Sequence, residues 1–315
     1  MTLFGRPKLP KIPEDPKAKN KIIYAVVVVL LAVVALISGR LHMEYKPASG
    51  GKQADAPFQV HVLDIGQGDS ILVIADGHAM LVDGGEPAAA PRILRYLQEK
   101  GISKLDYVAA THAHADHIGG LAEVIKAYPP KNIIEPVCAG ELLPVTSTYE
   151  AYLDAAEGSG ARFRALRSGD RFKVGGARIT VLAPDTDTAQ DLNNLSLVLR
   201  VQYGDCTCLL TGDMEMPEEE QILAHKYDLH ADFLKVGHHG SESSCSEAFL
   251  AAVRPDYAAI SCGKDNDYGH PHKETLNRLH AYTDKVYVTA KQGDIVFRYD
   301  PATGKRSIAT DKTTS

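Results

Sequence analysis

The run THAHADHIGG (111–120) places His112, His114, Asp116 and His117 within six positions. Few features restrict a fold more tightly. Imidazoles clustered beside a carboxylate are costly to bury unless something neutralises them, and histidine contributes little to helix or strand formation. A chain carrying this run has to bring further polar partners to the same place, on a scaffold rigid enough to hold them.

The scaffold is legible in the hydrophobic pattern. FQVHVLDI (58–65), SILVIAD (70–76) and HAMLVDGG (78–85) read as strands joined by tight turns, the second turn by Asp76-Gly77. APRILRYLQEKG (90–101) is an amphipathic helix with Pro91 near its start and Gly101 at its end. LDYVAATH (105–112) is a strand, and HIGGLAEVIKAY (117–128) a helix. A similar second half follows. GARITVLAP (176–184), LSLVLRVQYG (195–204) and CTCLLTGD (206–213) are strands, MPEEEQILAHKY (216–227) is a helix, and ADFLKVGHHG (231–240) is a strand running into a histidine loop. The alternation continues through YAAISCG (257–263), KETLNRLHAY (273–282), KVYVTA (285–290) and DIVFRY (294–299). Two strand-rich halves with helices predict an α/β (α+β) chain of two sheets packed face to face, helices outside.

Before this region lies a different kind of segment. Ile22–Ser38 is 17 residues without a charge, which as a helix reaches about 25 Å, near the short limit for a bilayer span. Six Lys/Arg precede it and no small-x-small cleavage site follows. The expectation is an uncleaved single-pass anchor over 22–39, a basic cytoplasmic N-terminus over 1–21 and a tether over 40–57. The positive-inside rule then puts the large domain (58–300) outside the cytoplasm, with 301–315 a flexible tail. Residues 1–55 carry nine basic and four acidic side chains, which leaves −11 of the overall −6 to residues 56–315. Long-range attraction therefore does not draw a polyanion to the bulk of the protein. Five cysteines without a CxxC give neither a zinc motif nor a disulfide framework, and Cys206 and Cys208, two apart on one strand face, read as core thiols.

His112–His117, Asp213 and His238–His239 each follow the C-terminal end of an expected strand, where a sheet can aim side chains into one cleft. Neutral imidazoles with carboxylates suit zinc and related divalent ions. In an extended segment HxH points two imidazoles the same way, and the Asp-His just beyond can serve a second ion. Two ions about 3.5–4 Å apart clamp the attacking and leaving oxygens of a phosphoester.

THAHADHIGG resembles the signature of the metallo-β-lactamase superfamily, a four-layered αββα sandwich of metal-dependent hydrolases. VLDIGQGDSILV, LVDGG, NNLSLVLRVQYG, LLTGD, LKVGHHGSESS and YGHPH together are similar to the hydrolase domain of ComEC-type competence proteins, across essentially all of 58–300. The resemblance implies two divalent ions, zinc or alternatively manganese. His112 and His114 would hold one, Asp116 and His117 the other, and Asp213 would bridge them. His239 is favoured over His238 to complete the second position. Asp83 would fix a ligand histidine, or serve only as a turn residue before Gly84-Gly85. Asp64, Asp69 and Ser241 would line the cleft. His270 and His272 would bind substrate oxygen or donate a proton, unless they serve only at a helix entry or the surface. One departure stands out. Many relatives place another ligand histidine between the HxHxDH run and the bridging aspartate, whereas this chain has none from Ile118 to Ala224; Asn193, Asn194 or Ser196 stands there instead.

The implied function is a membrane-anchored, extracytoplasmic metal-dependent phosphodiesterase or DNA nuclease related to competence and DNA uptake, with a phosphoester, single-stranded DNA among them, as substrate and no protein partner inferred. Catalysis would rest on Asp116, His117 and Asp213. The alternatives are hydrolysis of a cell-envelope phosphoester or other small ester, and a non-catalytic metal-binding module. The stretch 162–178 offers Arg162, Arg164, Arg167, Arg171, Lys173 and Arg178 to phosphates, or is a solvated strand pair. The room before residue 58 is too short for the channel of the larger relatives.

Overall fold

The computed structural model describes residues 56–186, 189 and 191–312. The expected N-terminal segment, anchor and nearly all of the tether lie outside the described residues. No helix among those described is long and apolar enough to cross a membrane.

Period-two alternation fixes the faces of the strands. In β1 (Phe58–Val62), Phe58, Val60 and Val62 point into one core, while His61 points the opposite way to meet the Tyr96 hydroxyl at 2.7 Å. Its antiparallel partner β2 (Ile71–Ala75) sends Ile71, Val73 and Ala75 to the first core and Leu72 to the second. The reversal into β3 (His78–Val82) has Asp76 at φ 50° and Gly77 at φ 78°, the left-handed pair that a two-residue hairpin favours.

The first sheet has eight strands in the order β15-β14-β1-β2-β3-β4-β5-β6, with β4 Tyr107–Ala109, β5 Asn132–Pro136, β6 Arg162–Leu166, β14 Ile295–Asp300 and β15 Lys305–Thr310. It is antiparallel up to β3 and parallel from β3 to β6. The second has seven, β13-β12-β11-β10-β9-β8-β7, with β7 Arg171–Val174, β8 Ala177–Ala183, β9 Val198–Tyr203, β10 Cys206–Leu210, β11 Phe233–Lys235, β12 Tyr257–Ile260 and β13 Val286–Val288. It is parallel from β13 to β10 and antiparallel beyond.

Three apolar cores separate four layers. The central core takes residues from both sheets, including Cys206 and Cys208, as expected for core thiols. A second lies between the first sheet and α1 (Ala90–Glu99), α2 (Ala115–Ile118), α3 (Leu121–Ala127) and α4 (Ser147–Gly158). A third lies between the second sheet and α5 (Met216–Ala224), α6 (Glu247–Val253), α7 (Lys273–His280) and α8 (Thr289–Gln292). This is the αββα sandwich.

Four expectations need correction. The helix expected over 117–128 is two, α2 and α3, parted at Gly119 and Gly120. A Cβ on Gly120 would sit 2.3 Å from the Gly84 carbonyl oxygen, so the chain passes too close to the β3 loop for any larger residue. The strand expected over 285–290 stops at Val288 and α8 follows. The tail is not free, because Lys305–Thr310 pairs along the whole of β14 as β15, tied further by Arg306 Nε to Asp232 at 2.5 Å and Lys312 to Asp64 at 3.0 Å. Finally, 162–178 is not a single strand pair: its second part is the β7–β8 hairpin, with Lys173 opposite Arg178, but its first part, β6, belongs to the other sheet. β6 and β7 are the outer strands of different sheets, and their arginines suit edges that must not recruit another strand.

Candidate metal centre

The loops that leave β3, β4, β10, β11 and β12 at their C-terminal ends meet at one place. Thr111–Ile118 follows β4, Asp213 follows β10, and His238 and His239 follow β11. Four imidazoles converge on a single carboxylate oxygen, Asp213 Oδ2: the Nε2 atoms of His117 at 3.2 Å, His239 at 3.3 Å, His238 at 3.9 Å and His112 at 4.0 Å. Asp116 joins from α2, its Oδ2 3.3 Å from His239 Nε2 and 3.9 Å from His117 Nε2. His112 Nε2 and His114 Nδ1 face each other at 3.0 Å.

The opposite side of each ring fixes its tautomer. His239 Nδ1 lies 2.8 Å from the Ser261 carbonyl oxygen, which can only accept, so Nδ1 carries the proton. His117 Nδ1 donates to Asp83 Oδ2 at 2.8 Å, and His238 Nδ1 to Glu215 Oε1 at 2.9 Å. Thr111 gives its hydroxyl proton to Asp83 at 2.7 Å, leaving its oxygen to accept from His112 Nδ1 at 3.1 Å. With the rings neutral, the Nε2 lone pairs of His117 and His239 would be turned toward Asp213 Oδ2, which also only accepts. Buried His117 Nε2, His239 Nε2 and Asp213 Oδ1 have no hydrogen-bond partner, an arrangement that repels itself unless a cation sits between. The donor atoms of Asp116, His117, Asp213 and His239 all lie within 4.8 Å of one another.

The electrostatics of the cluster carry the same message. Burial alone would lower His117 and His239, yet the neighbouring carboxylates, Asp213 above all, raise His117 well above its usual value and His239 to about 10. Burial would raise Asp213 and Asp116, yet the histidine rings hold both below the usual carboxylate range. His112, farther from the carboxylates, is held well below by burial and by His117. The cluster demands positive charge at its centre, supplied by protons on His117 and His239 or by a cation that takes their place. These residues fit divalent ions of the zinc class, with Asp213 Oδ2 within 4.0 Å of His112 on one hand and of His117 and His239 on the other.

In the second group, Asp69, Asp83 and His117, both carboxylates already face positively charged or hydrogen-bond-donating groups of the protein. Asp83 accepts from the Thr111 backbone N–H at 2.7 Å as well as from His117, so it orients the His117 ring rather than acting only as a turn residue. Asp69 is fully buried, 2.7 Å from the equally buried Lys235 ammonium and 3.5 Å from His239 Nδ1, so it lies beneath the site and not on its surface. Asp64 is engaged elsewhere, accepting from Lys312.

The open cleft above the cluster is lined by Gln67, His114, Asn193, His238, Tyr268 and His270 together with the central carboxylates and His239. Asn193 stands in it with its buried Oδ1 unpartnered. Asn194 donates from Nδ2 to Asp191 and Glu215 while its buried Oδ1 is also unpartnered, and Ser196 Oγ accepts the Asp213 N–H at 3.0 Å. His270 faces the cleft with Nδ1 unpartnered. His272 does not: its Nδ1 accepts from Glu242 N–H and its Nε2 donates to the Tyr268 carbonyl, bracing two loops. The Ser241 hydroxyl is taken up by Ser243 at 2.8 Å. None of the six basic residues of 162–178 lines the cleft. Sequence reasoning missed Glu215, Ser261 and Lys235. A signal existed for Lys235, a lysine inside the apolar run of β11, where burial demands an anionic partner.

Fold and cluster together define a class. The model of the metallo-β-lactamase superfamily matches residues 63–264, and the chain belongs to that superfamily. Within it the chain is similar to ComE operon protein 3 of Bacillus subtilis (33% identical over 268 residues, 79% of this chain and 34% of that protein) and to Recombination protein 2 of Haemophilus influenzae (35% over 251 residues, 78% and 29%). It spans about a third of the length of these relatives. Among solved structures, the CmlA β-hydroxylase E377D mutant matches with a TM-score of 0.51 at 11% identity, over 79% of this chain and 55% of that one, a likeness of fold.

Proposed function

We propose that this metallo-β-lactamase-fold protein is a phosphodiesterase that cleaves DNA, tethered outside the cytoplasmic membrane by Ile22–Ser38. The observation that carries the chemistry is the convergence of four histidine Nε2 atoms on Asp213 Oδ2. In this reading His112 and His114 hold one ion, Asp116, His117 and His239 the other, and Asp213 serves both. A divalent pair, when bound, supplies a nucleophile near neutral pH and charge to stabilise the leaving oxygen. The chain's part is to fix the distance between the ions, to keep each ligand ring in the right tautomer through Asp83 and Ser261, and to present His270 to a substrate oxygen. Relatives named for competence and recombination support DNA as the substrate. The metal is zinc or manganese. The basic segment before Ile22 supports the outward orientation of the domain.

The test is turnover by the full chain, with zinc or manganese, of a single-stranded oligonucleotide against bis-p-nitrophenyl phosphate and a carboxylic ester. Oligonucleotide cleavage is expected, reduced at least about 100-fold in Asp213→Ala because the reacting groups lose their placement. Ester turnover with DNA untouched replaces this reading with a small-ester hydrolase, and bound metal without turnover replaces it with a binding module. Protease added to intact wall-less cells should release the domain; protection until lysis refutes the orientation.

A further inference from the structure

We propose that His238 supplies the imidazole that the stretch from Ile118 to Ala224 does not, so that the two consecutive histidines after β11 serve one ion each. The inference rests on the two-ion reading above and names a ligand for its less complete position. His112 and His114 alone give that position two nitrogens plus the shared Asp213, one donor short of the four that zinc commonly takes.

Three observations carry it. The first is direction. His238 Nε2 lies 3.9 Å from Asp213 Oδ2, almost the same distance as His112 Nε2 at 4.0 Å, and the ring lines the cleft that His114 and Asn193 also line. The second is bracing. His238 Nδ1 donates to Glu215 Oε1 at 2.9 Å, the same carboxylate-to-imidazole contact that Asp83 makes with His117. Glu215 is itself held, by the Ser243 hydroxyl at 2.6 Å and by Asn194 Nδ2 at 3.3 Å. A histidine that only filled space needs no such carboxylate, whereas a ligand histidine characteristically has one. The third is backbone conformation. His238 and His239 adopt φ of 43° and 52°, in the left-handed region where a β-carbon is disfavoured and which persists chiefly where function requires it. The consecutive left-handed pair lets neighbouring residues both aim at Asp213, which ordinary strand alternation forbids.

Asn193, with its unpartnered Oδ1, is the competing donor. An amide oxygen binds borderline cations less well than imidazole, and Asn193 has no bracing like that of His238. The neighbouring Asn194 acts through Glu215 and thereby through His238.

The experiment is calorimetric titration of the metal-free full chain with manganese(II) and with zinc(II), with cobalt(II) absorption spectra as a second readout. Variants are His238→Asn, which tolerates the left-handed backbone, His238→Gly, which relieves it, Glu215→Gln and Asn193→Ala, each checked by circular dichroism. Wild type should take up two ions. Both His238 variants should keep one tight ion and lose the other at concentrations that saturate wild type, with a changed cobalt spectrum. Glu215→Gln should weaken that same ion about 10–100-fold. Two ions at unchanged affinity in the folded His238 variants, loss of both ions together, or selective loss in Asn193→Ala with His238→Asn unaffected each overturns the assignment. A wild type that takes up fewer than two ions instead overturns the two-ion reading.

Discussion

Glu135 and Asp69 are both carboxylates near the candidate metal centre, in different surroundings. Asp69 has the buried Lys235 ammonium at 2.7 Å. Glu135, at the end of β5, has only the Tyr152 hydroxyl at 3.5 Å and a largely apolar pocket of Leu143, Tyr149, Leu192 and Leu195 that also borders His112. Burial raises its carboxyl from 4.5 to about 7. A carboxyl raised in the folded state binds its proton more tightly there than in the unfolded chain. Its contribution is fully present below pH 4.5 and is lost as the pH climbs to about 7. The shift corresponds to roughly 2–3 kcal/mol after allowance for residual solvent contact. Glu135→Gln should therefore stabilise the protein by about that amount at pH 8 and change little at pH 4, read from urea unfolding at both pH values. An equal effect at the two pH values would mean that Glu135 is solvated in the native state. The left-handed histidines after β11 show the same dependence on surroundings: their backbone was not readable from the letters HHG, although the residues themselves were.

At the scale of elements, the site is a meeting of loops packed so closely that one of them has no room for a β-carbon. Gly68 has φ of 109°, and a Cβ there would lie 2.1 Å from the Asp116 carbonyl oxygen, the atom that accepts the Asp69 N–H at 3.1 Å. Gly68→Ala should push α2 and with it Asp116 and His117 outward. It should cost about 1–3 kcal/mol in stability and also weaken metal binding, measured by thermal melting with and without zinc. A melting point and metal affinity equal to wild type would contradict this packing. The strands beside the centre were legible because β1 to β4 and β8 to β12 are buried and apolar, so their runs stand out. α4 was not, because its buried face is Tyr149, Tyr152, Ala155 and Ala156, small or part-polar side chains with weak apolar contrast. β15 was read as a tail for a related reason. Its sequence KRSIAT has an exposed or half-buried face throughout, and its order comes from pairing with β14 and from Arg306 and Lys312. The convergence of His and Asp side chains was legible, since these residues at strand ends have no packing role to explain them. Its supports Glu215 and Ser261 were not, because one is an acid among several before a helix and the other contributes only a carbonyl.

At the scale of the molecule, each half brings an antiparallel meander and a parallel run to the same end of the sandwich, and the candidate metal position lies where the two halves meet. His112–His117 come from the first sheet, Asp213, His238 and His239 from the second. A bound ion pair would therefore stitch the halves together as well as supply chemistry. The bulk of the protein carries −11 outside its first 55 residues, so a nucleic acid would be engaged by local charge, chiefly the metal ions, and not by long-range steering. The central claim is that two cations share Asp213 between the sheets. Anomalous diffraction from crystals soaked in zinc or manganese tests it directly. Two peaks flanking Asp213 are expected, one against His112 and His114, the other against Asp116, His117 and His239, and both should vanish or shift in Asp213→Ala. A single peak away from Asp213, or density confined to Asp69 and Asp83, would contradict the account.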